Sequence, residues 1–257
     1  MAGPIIGSNT QLRFIFLRRA GILYTFSFHM WTNSDKPLRL ALIGMSGSGK
    51  SHWTKNLAAL GCPTICCDDE IEKRLVGVLK AGGYTGINGV AAWMGWPDSP
   101  AYAERESQYL SEEIAVLDEV LSGLEKDPKQ EIVLDTTGSV IATGNHTLHR
   151  LRRQMIVVYL AASPEEVQLL IERYLHDPKP VLWQGAFRPQ RGETPQQTVV
   201  RCYPVLIAAR RQSYEALAHV TLPTLQLREL SPPGTARDAA AGRAFLEKVG
   251  ALLESRR

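Results

Sequence analysis

From Leu38 onward, short apolar runs alternate with stretches of helical periodicity, a pattern that predicts a parallel sheet covered by helices. Leu38 to Ile43 is largely apolar, as a strand buried on both faces requires. It passes into glycines, after which Ser51 to Leu60 reads as a helix stopped by Gly61. Pro63 to Cys67 reads as a second strand and Ile71 to Lys80 as a helix, with the glycine-bearing stretch up to Gly89 read as loop. Asp98 or Ser99 is expected to cap a long helix, with Pro100 in its first turn, that runs to about Leu124. Glu131 to Leu134 and Met155 to Leu160 are third and fourth buried strands. Ser163, Pro164 and Glu166 form a capping box for a helix that stops before Asp177-Pro178. The proline-bearing stretch from Pro178 to Pro195 shows little periodicity and reads as a mobile lid, placed at about 177–197. Val199 to Ala218 is again helical, His219 to Leu222 a last strand, and Asp238 to Leu253 a closing amphipathic helix. The expected architecture is an α/β P-loop NTPase fold with helices on both faces of a parallel sheet.

Length and composition set few limits. The 257 residues suffice for one α/β domain with a lid, and 44% hydrophobic with 21% charged residues is an ordinary globular balance. A net charge of +3, with no run of Lys or Arg, points away from nucleic acid as a partner. Cys62, Cys66, Cys67 and Cys202 lack a paired C-x-x-C spacing and read as free thiols of a reducing, cytoplasmic setting rather than as zinc ligands. The organisation expected is an N-terminal extension over 1–34, a catalytic domain over 35–230, and a linker with the C-terminal helix over 231–257. The extension bears Arg13, Arg18 and Arg19 and no acidic residue before Asp35. That fits a targeting segment or translation from an upstream start with the working chain beginning at Met30, the second being preferred. Its apolar run from Ala20 to Trp31 is too short to span a bilayer, and no membrane partner is expected.

The strongest chemical signal is Gly44-Met45-Ser46-Gly47-Ser48-Gly49-Lys50-Ser51, which matches G-x-x-x-x-G-K-[ST] between a strand and a helix. Glycines at Gly44, Gly47 and Gly49 let the backbone curl so that N–H groups, including those at Ser46 and Ser48, converge on phosphate oxygens. Lys50 is placed to reach the β- and γ-phosphates and Ser51 to support a magnesium ion. The motif therefore implies ATP, or a related nucleoside triphosphate, with Mg2+. Asp135, at the end of an apolar strand, occupies the position of an aspartate that holds magnesium. His146 and His149 read as surface helix residues, and Trp93 and Trp96 as core packing or pocket lining.

With Cys67-Asp68-Asp69-Glu70-Ile71-Glu72 after the second strand, the chain resembles shikimate kinase and its relatives, small monomeric P-loop kinases that carry Asp-x-Asp-x-x-Ile-Glu there. The resemblance implies that Asp68 is the substrate-binding aspartate. The family's other aspartate falls on Cys66, and Asp135 is expected to compensate for it. Lys179-Pro180-Val181-Leu182 looks like the family's Arg-Pro lid motif, which makes Lys179 the lid cation toward ATP. Arg188 and Arg191 are further lid cations. Arg210, four residues before Tyr214, matches an arginine that in the family contacts the substrate carboxylate. Two departures concern the acceptor. The family's triple glycine is replaced by Thr136-Thr137-Gly138. Its Phe-Arg-x-x-Glu falls on Tyr102-Ala103-Glu104-Arg105-Glu106, which puts Ala103 at the arginine and leaves Arg105 one turn away.

The resemblance thus implies a monomeric kinase that moves the γ-phosphoryl of ATP to a hydroxyl of a small polar acceptor, through Lys50, Asp68 and Arg210. A non-catalytic nucleotide-binding relative and a gluconate-kinase-like enzyme are the alternative readings.

Overall fold

The computed structural model describes residues 37–231 and 238–255, all within one compact unit, Pro37–Arg257. The expectations for the N-terminal extension, and for the linker beyond Ser231, lie outside the described residues.

Among the described residues five strands form one parallel sheet in the order β2-β3-β1-β4-β5. They are β1 (Arg39–Ile43), β2 (Thr64–Cys66), β3 (Ile132–Asp135), β4 (Ile156–Ala161) and β5 (Val220–Pro223). The strand register pairs Leu42 with Asp135 on one side and with Val158 on the other. Alternation along β1 sends Leu40 and Leu42 to one face and Ala41 and Ile43 to the other, and all four are sealed from solvent. Each leucine buried in this way contributes roughly 2 kcal/mol to the folded state.

The helices are α1 (Lys50–Ala59), α2 (Cys67–Ala81), α3 (Gly86–Met94), α4 (Tyr102–Lys126), α5 (Asn145–Gln154), α6 (Pro164–His176), α7 (Pro195–Leu217), α8 (Thr224–Leu230) and α9 (Ala239–Glu254). Ala41, Ile43, Leu134 and Tyr159 join one large core with Ile71 and Leu75 of α2, Leu117 and Leu121 of α4, and Tyr214 of α7. On the opposite face α1 packs against α9, with the Trp53 and Phe245 rings stacked at 4.8 Å between centroids. Helices thus cover both faces, as the apolar pattern predicts.

Local differences from the sequence reading have physical causes. The glycine-bearing stretch read as loop contains α3, because Ile87, Val90, Trp93 and Met94 supply enough buried surface to outweigh its glycines. The helix α4 begins at Tyr102 behind Ala101, with no side-chain cap from Asp98 or Ser99. The capping box before α6 forms through Glu166, whose carboxylate accepts the Ser163 N–H at 2.8 Å. A second capping box, Thr194 with Gln197, starts α7 four residues earlier than Val199. The segment read as a lid has no helix or strand from Asp177 to Thr194. Its first part is anchored, since Val181, Leu182, Trp183 and Phe187 are all buried in the core. The Tyr102 hydroxyl donates to the Val181 carbonyl at 2.7 Å and fixes that anchor to α4.

Candidate phosphoryl-transfer site

In an all-parallel sheet every strand ends on the same edge, and ligands settle where the connections diverge. That place is the end of β1, because the chain leaves it first toward β2 and β3 and later returns to β4 on the other side. The loop from Gly44 to Gly49 lies there. Gly44, Gly47 and Gly49 adopt φ values of 142°, 81° and 96°, in the region that favours glycine. The helix α1 starts at Lys50 with no capping side chain and no acidic residue in its first turn. Its N–H groups and positive dipole end therefore face the loop uncompensated, an arrangement suited to an anion. The Ser48 hydroxyl is enclosed there without a partner. Lys50 is buried, and its ammonium donates to the Gly44 and Met45 carbonyls at 2.9 and 3.1 Å, so it is held across the loop. The candidate residues Gly44, Ser46, Gly47, Ser48, Gly49, Lys50 and Ser51 thus form one cradle.

Two carboxylates flank it on the β2–β3 side. Asp68 sits in the first turn of α2 and accepts the Tyr109 hydroxyl at 2.9 Å. Burial pushes its carboxyl up to about 6, opposed by the charge of Lys50 and by that hydrogen bond. Asp135 is buried at the end of β3, with Ser51 of α1 favouring its ionised form. Desolvation raises its carboxyl too, opposed chiefly by Lys50. A hydroxyl and a carboxylate beside a phosphate cradle are hard oxygen donors, which suit Mg2+. Among the described residues no three His, Cys, Asp or Glu side chains form a metal cage. Such an ion would therefore take the rest of its ligands from phosphates and water, as magnesium usually does.

Beyond Asp68 the structure corrects the sequence alignment. Tyr102 and Glu106 are tied to the lid anchor, Glu106 accepting the Gln184 N–H at 3.0 Å, and Arg105 donates to the Trp93 carbonyl with its guanidinium 5.8 Å from the Trp93 ring. Two turns further on, Tyr109 meets Asp68 and Glu113 meets Thr137 and Ser139. The aromatic-to-glutamate spacing of Phe-Arg-x-x-Glu is therefore met by Tyr109-Leu110-Ser111-Glu112-Glu113, with Leu110 at the arginine. Glu113 is sealed from solvent and accepts from Thr137 and, at 2.6 Å, from Ser139. Burial pushes its carboxyl up to about 7, against the stabilising hydrogen bonds of Ser139 and Thr137. Glu113 was missed by the sequence reading, although a carboxylate in line with Tyr109, Val116, Leu117 and Leu121 on one helix face is a legible sign of a buried charge. Gly138 lies between the two hydroxyl residues, and a Cβ there would come within 2.8 Å of the Ser46 nitrogen. The replaced triple glycine thus keeps the one glycine that lets this loop press against the P-loop.

Arg210 is buried, with one terminal nitrogen donating to the Gly138 carbonyl at 2.8 Å and the other to the Leu182 carbonyl. It joins the loop after β3 to the lid anchor, and its Nε is enclosed without a partner. Lys179 donates to Asn88 and pairs with Asp177 at 3.0 Å, while Arg188 and Arg191 are exposed. Trp93 belongs to the core, and His146 and His149 lie on the exposed side of α5.

On the β4–β5 side a cavity of about 280 Å³ adjoins the loop, lined by Gly47, His52, Trp53, Leu170, Arg173 and Arg228 among others. Arg173, which the sequence reading did not single out, donates to the Gly47 carbonyl at 2.8 Å. The cavity and the carboxylates therefore lie on opposite sides of the loop from Gly44 to Gly49.

This sheet order, with a P-loop opening the helix after β1, defines a P-loop NTPase fold. No family model matches the chain. It is 36% identical over 131 residues to a shikimate kinase of Paracidovorax citrulli (strain AAC00-1), a match that covers 51% of this chain and 59% of that relative. The chain thus spans less than two thirds of the relative's length. A structure of shikimate kinase from Acinetobacter baumannii in complex with shikimate is 26% identical, with a TM-score of 0.53, covering 89% of this chain and 98% of that one. Shikimate kinase from Bacteroides thetaiotaomicron shares the fold at 18% identity and a TM-score of 0.50, covering 84% and 98%. The chain is shikimate kinase-like in both sequence and fold. Among the described residues no helix is long and apolar enough to cross a membrane.

Proposed function

We propose that this protein is a small-molecule kinase that transfers the γ-phosphoryl group of ATP to a hydroxyl of a polar acceptor. The observation that carries the reading is the placement of Asp68, half-buried and held by Tyr109, where the charge of Lys50 acts on it. A carboxyl near 6 is ionised at neutral pH and still basic enough to accept a proton. Tyr109 occupies one carboxylate oxygen, which leaves the other to orient an acceptor hydroxyl and take its proton. Lys50 and the N–H groups opening α1 would hold the β- and γ-phosphates, stabilising the charge that spreads over the transferred group. Ser51 and Asp135 would hold Mg2+, which when bound neutralises charge on the phosphates. The nucleoside would extend into the cavity between α6 and α8, where Arg173 and Leu170 meet the loop. Action as a monomer on soluble metabolites in the cytoplasm belongs to the same reading.

A metabolite panel scored by Mg2+- and ATP-dependent ADP release, shikimate and gluconate included, tests this. The expected result is acceptor-stimulated ADP release that Asp68→Asn lowers by on the order of a hundredfold or more. ATP binding with no stimulation by any acceptor would favour the non-catalytic alternative.

A further inference from the structure

We infer that the chain carries a second oxyanion site, built on α5 at the edge of the sheet opposite the phosphate loop, for a small multivalent phosphate or carboxylate. A cavity of about 750 Å³ lies there, lined by His146, His149, Arg152, Arg153 and His219 together with the paired Arg150 and Glu125. All five strands run parallel, and α5 leads into β4 as His219 leads into β5. The cavity is therefore at the beginnings of the strands and the loop from Gly44 to Gly49 at their ends, a strand's length apart, roughly 15 Å.

His146, His149, Arg150 and Arg153 are spaced i, i+3, i+4 and i+7, which places them on one face of α5, while Thr147 and Leu151 are buried on another. The helix dipole favours arginines in a last turn and by itself accounts for Arg152 and Arg153. It does not account for the histidines or for the cavity. Arg150 is engaged by Asp118, Glu125 and Ser122, and Glu125 also accepts from Gln154 at 2.7 Å, so the acidic residue of the lining is already paired. Arg152 is held in place through one nitrogen, Nη1, which donates to the Ala216, Leu217 and Ala218 carbonyls at the end of α7. Its Nε and Nη2 keep their protons for another acceptor. His146, His149 and Arg153 are exposed and have no hydrogen-bond or ion-pair partner among the described residues. His219 accepts the Val157 N–H on Nδ1 at 3.0 Å, which puts its own proton on Nε2. Burial, and then the Arg152 charge, hold His219 below the usual imidazole range. Donors and positive charge thus exceed acceptors around this cavity, and guanidinium forks with imidazoles match the oxygens of phosphates and carboxylates. The stripe from His146 to Arg153 rises about 10 Å, so one ligand reaches all of it only by carrying more than one anionic group.

The test uses the full chain with nitrogen-15 in its histidine rings, titrated at constant ionic strength with tripolyphosphate or with citrate. His52, next to Ser51, reports on the phosphate loop in the same spectra. The expected result is a saturable shift of the His146 and His149 signals that persists in Lys50→Ala. In Arg153→Glu, an exposed position where the fold is not at risk, half-saturation should rise by about tenfold, the scale for a lost hydrogen bond to a charged group. A response to tripolyphosphate alone assigns phosphate carriers and one to citrate alone assigns carboxylate carriers, and either supports the site. Shifts confined to His52 would mean that anions bind at the phosphate loop only, which overturns the inference. Unsaturated shifts that sodium chloride reproduces would mean counterions on an exposed surface, which also overturns it.

Discussion

Cys66 on β2 and Asp135 on β3 are Cα partners in the sheet register, so the aspartate of one strand stands beside the cysteine of the next. Burial, followed by the Asp135 charge, pushes the Cys66 thiol up to about 12, and it stays protonated and neutral. On the proposed reading Asp135 is then the carboxylate of this strand pair that would serve a magnesium ion. Asp135→Asn is expected to raise the magnesium concentration needed for half-maximal activity, because an amide is a weaker ligand for a hard cation. Cys66→Asp should recover part of that loss. A magnesium titration of the two single variants and the double variant checks it, and strict additivity would contradict a shared ion.

Asp68 supplies a pH dependence whose sign is fixed by its role. A base must be ionised to accept a proton, so kcat/KM is predicted to fall as pH drops through about 6 and to level off above it. Tyr109 stabilises the ionised form by its hydrogen bond. Tyr109→Phe should therefore move the acid limb to higher pH. A limb unmoved in that variant would assign it to another group.

Glu113 titrates as a stability term. Its carboxyl is raised from 4.5 to about 7 in the folded protein, so between those values the folded state binds more protons than the unfolded one. Stability is then greatest at the acid end of that window and falls as pH rises through it, by on the order of 3 kcal/mol. Urea midpoints of wild type and Glu113→Gln across that range measure the difference. Wild type should lose stability relative to the variant as pH rises, and parallel curves would contradict a buried, perturbed Glu113.

Gly138 presses the loop after β3 against the loop from Gly44 to Gly49. An added methyl group would meet the Ser46 nitrogen at 2.8 Å, and backbone must move to relieve that contact. Gly138→Ala is predicted to weaken ATP affinity or turnover by roughly tenfold to a hundredfold, the scale for a small misplacement of reacting groups. Calorimetric ATP binding and a melting curve separate displacement of the loop from loss of the fold. Wild-type affinity and turnover in the variant would show that the loop yields freely.

The phosphate cradle was legible because its chemistry is local: eight consecutive residues from Gly44 to Ser51, preceded by apolar residues and followed by a helix. The strands were legible for the same reason, each being a short apolar run. The proposed acceptor side depends on residues far apart in the chain. Tyr109 and Glu113 reach Asp68, Thr137 and Ser139 only through packing of α4 on α2 and on the loop after β3. Without an arginine at Leu110 to mark the pattern, Tyr102 and Glu106 offered the same helical spacing. Packing also explains α3, where Val90, Trp93 and Met94 override glycines that locally favour a loop.

The central claim is that Asp68 and Lys50 act on one transferred phosphoryl group. Phosphorus-31 NMR of the protein with Mg-ATP and an acceptor that stimulates ADP release follows that group directly. The account predicts that the γ-phosphate signal reappears as a phosphate monoester of the acceptor. It further predicts that Lys50→Ala and Asp68→Asn each lower the rate by on the order of a hundredfold or more in folded protein. Release of inorganic phosphate alone, or monoester formed at the wild-type rate by either variant, would contradict it.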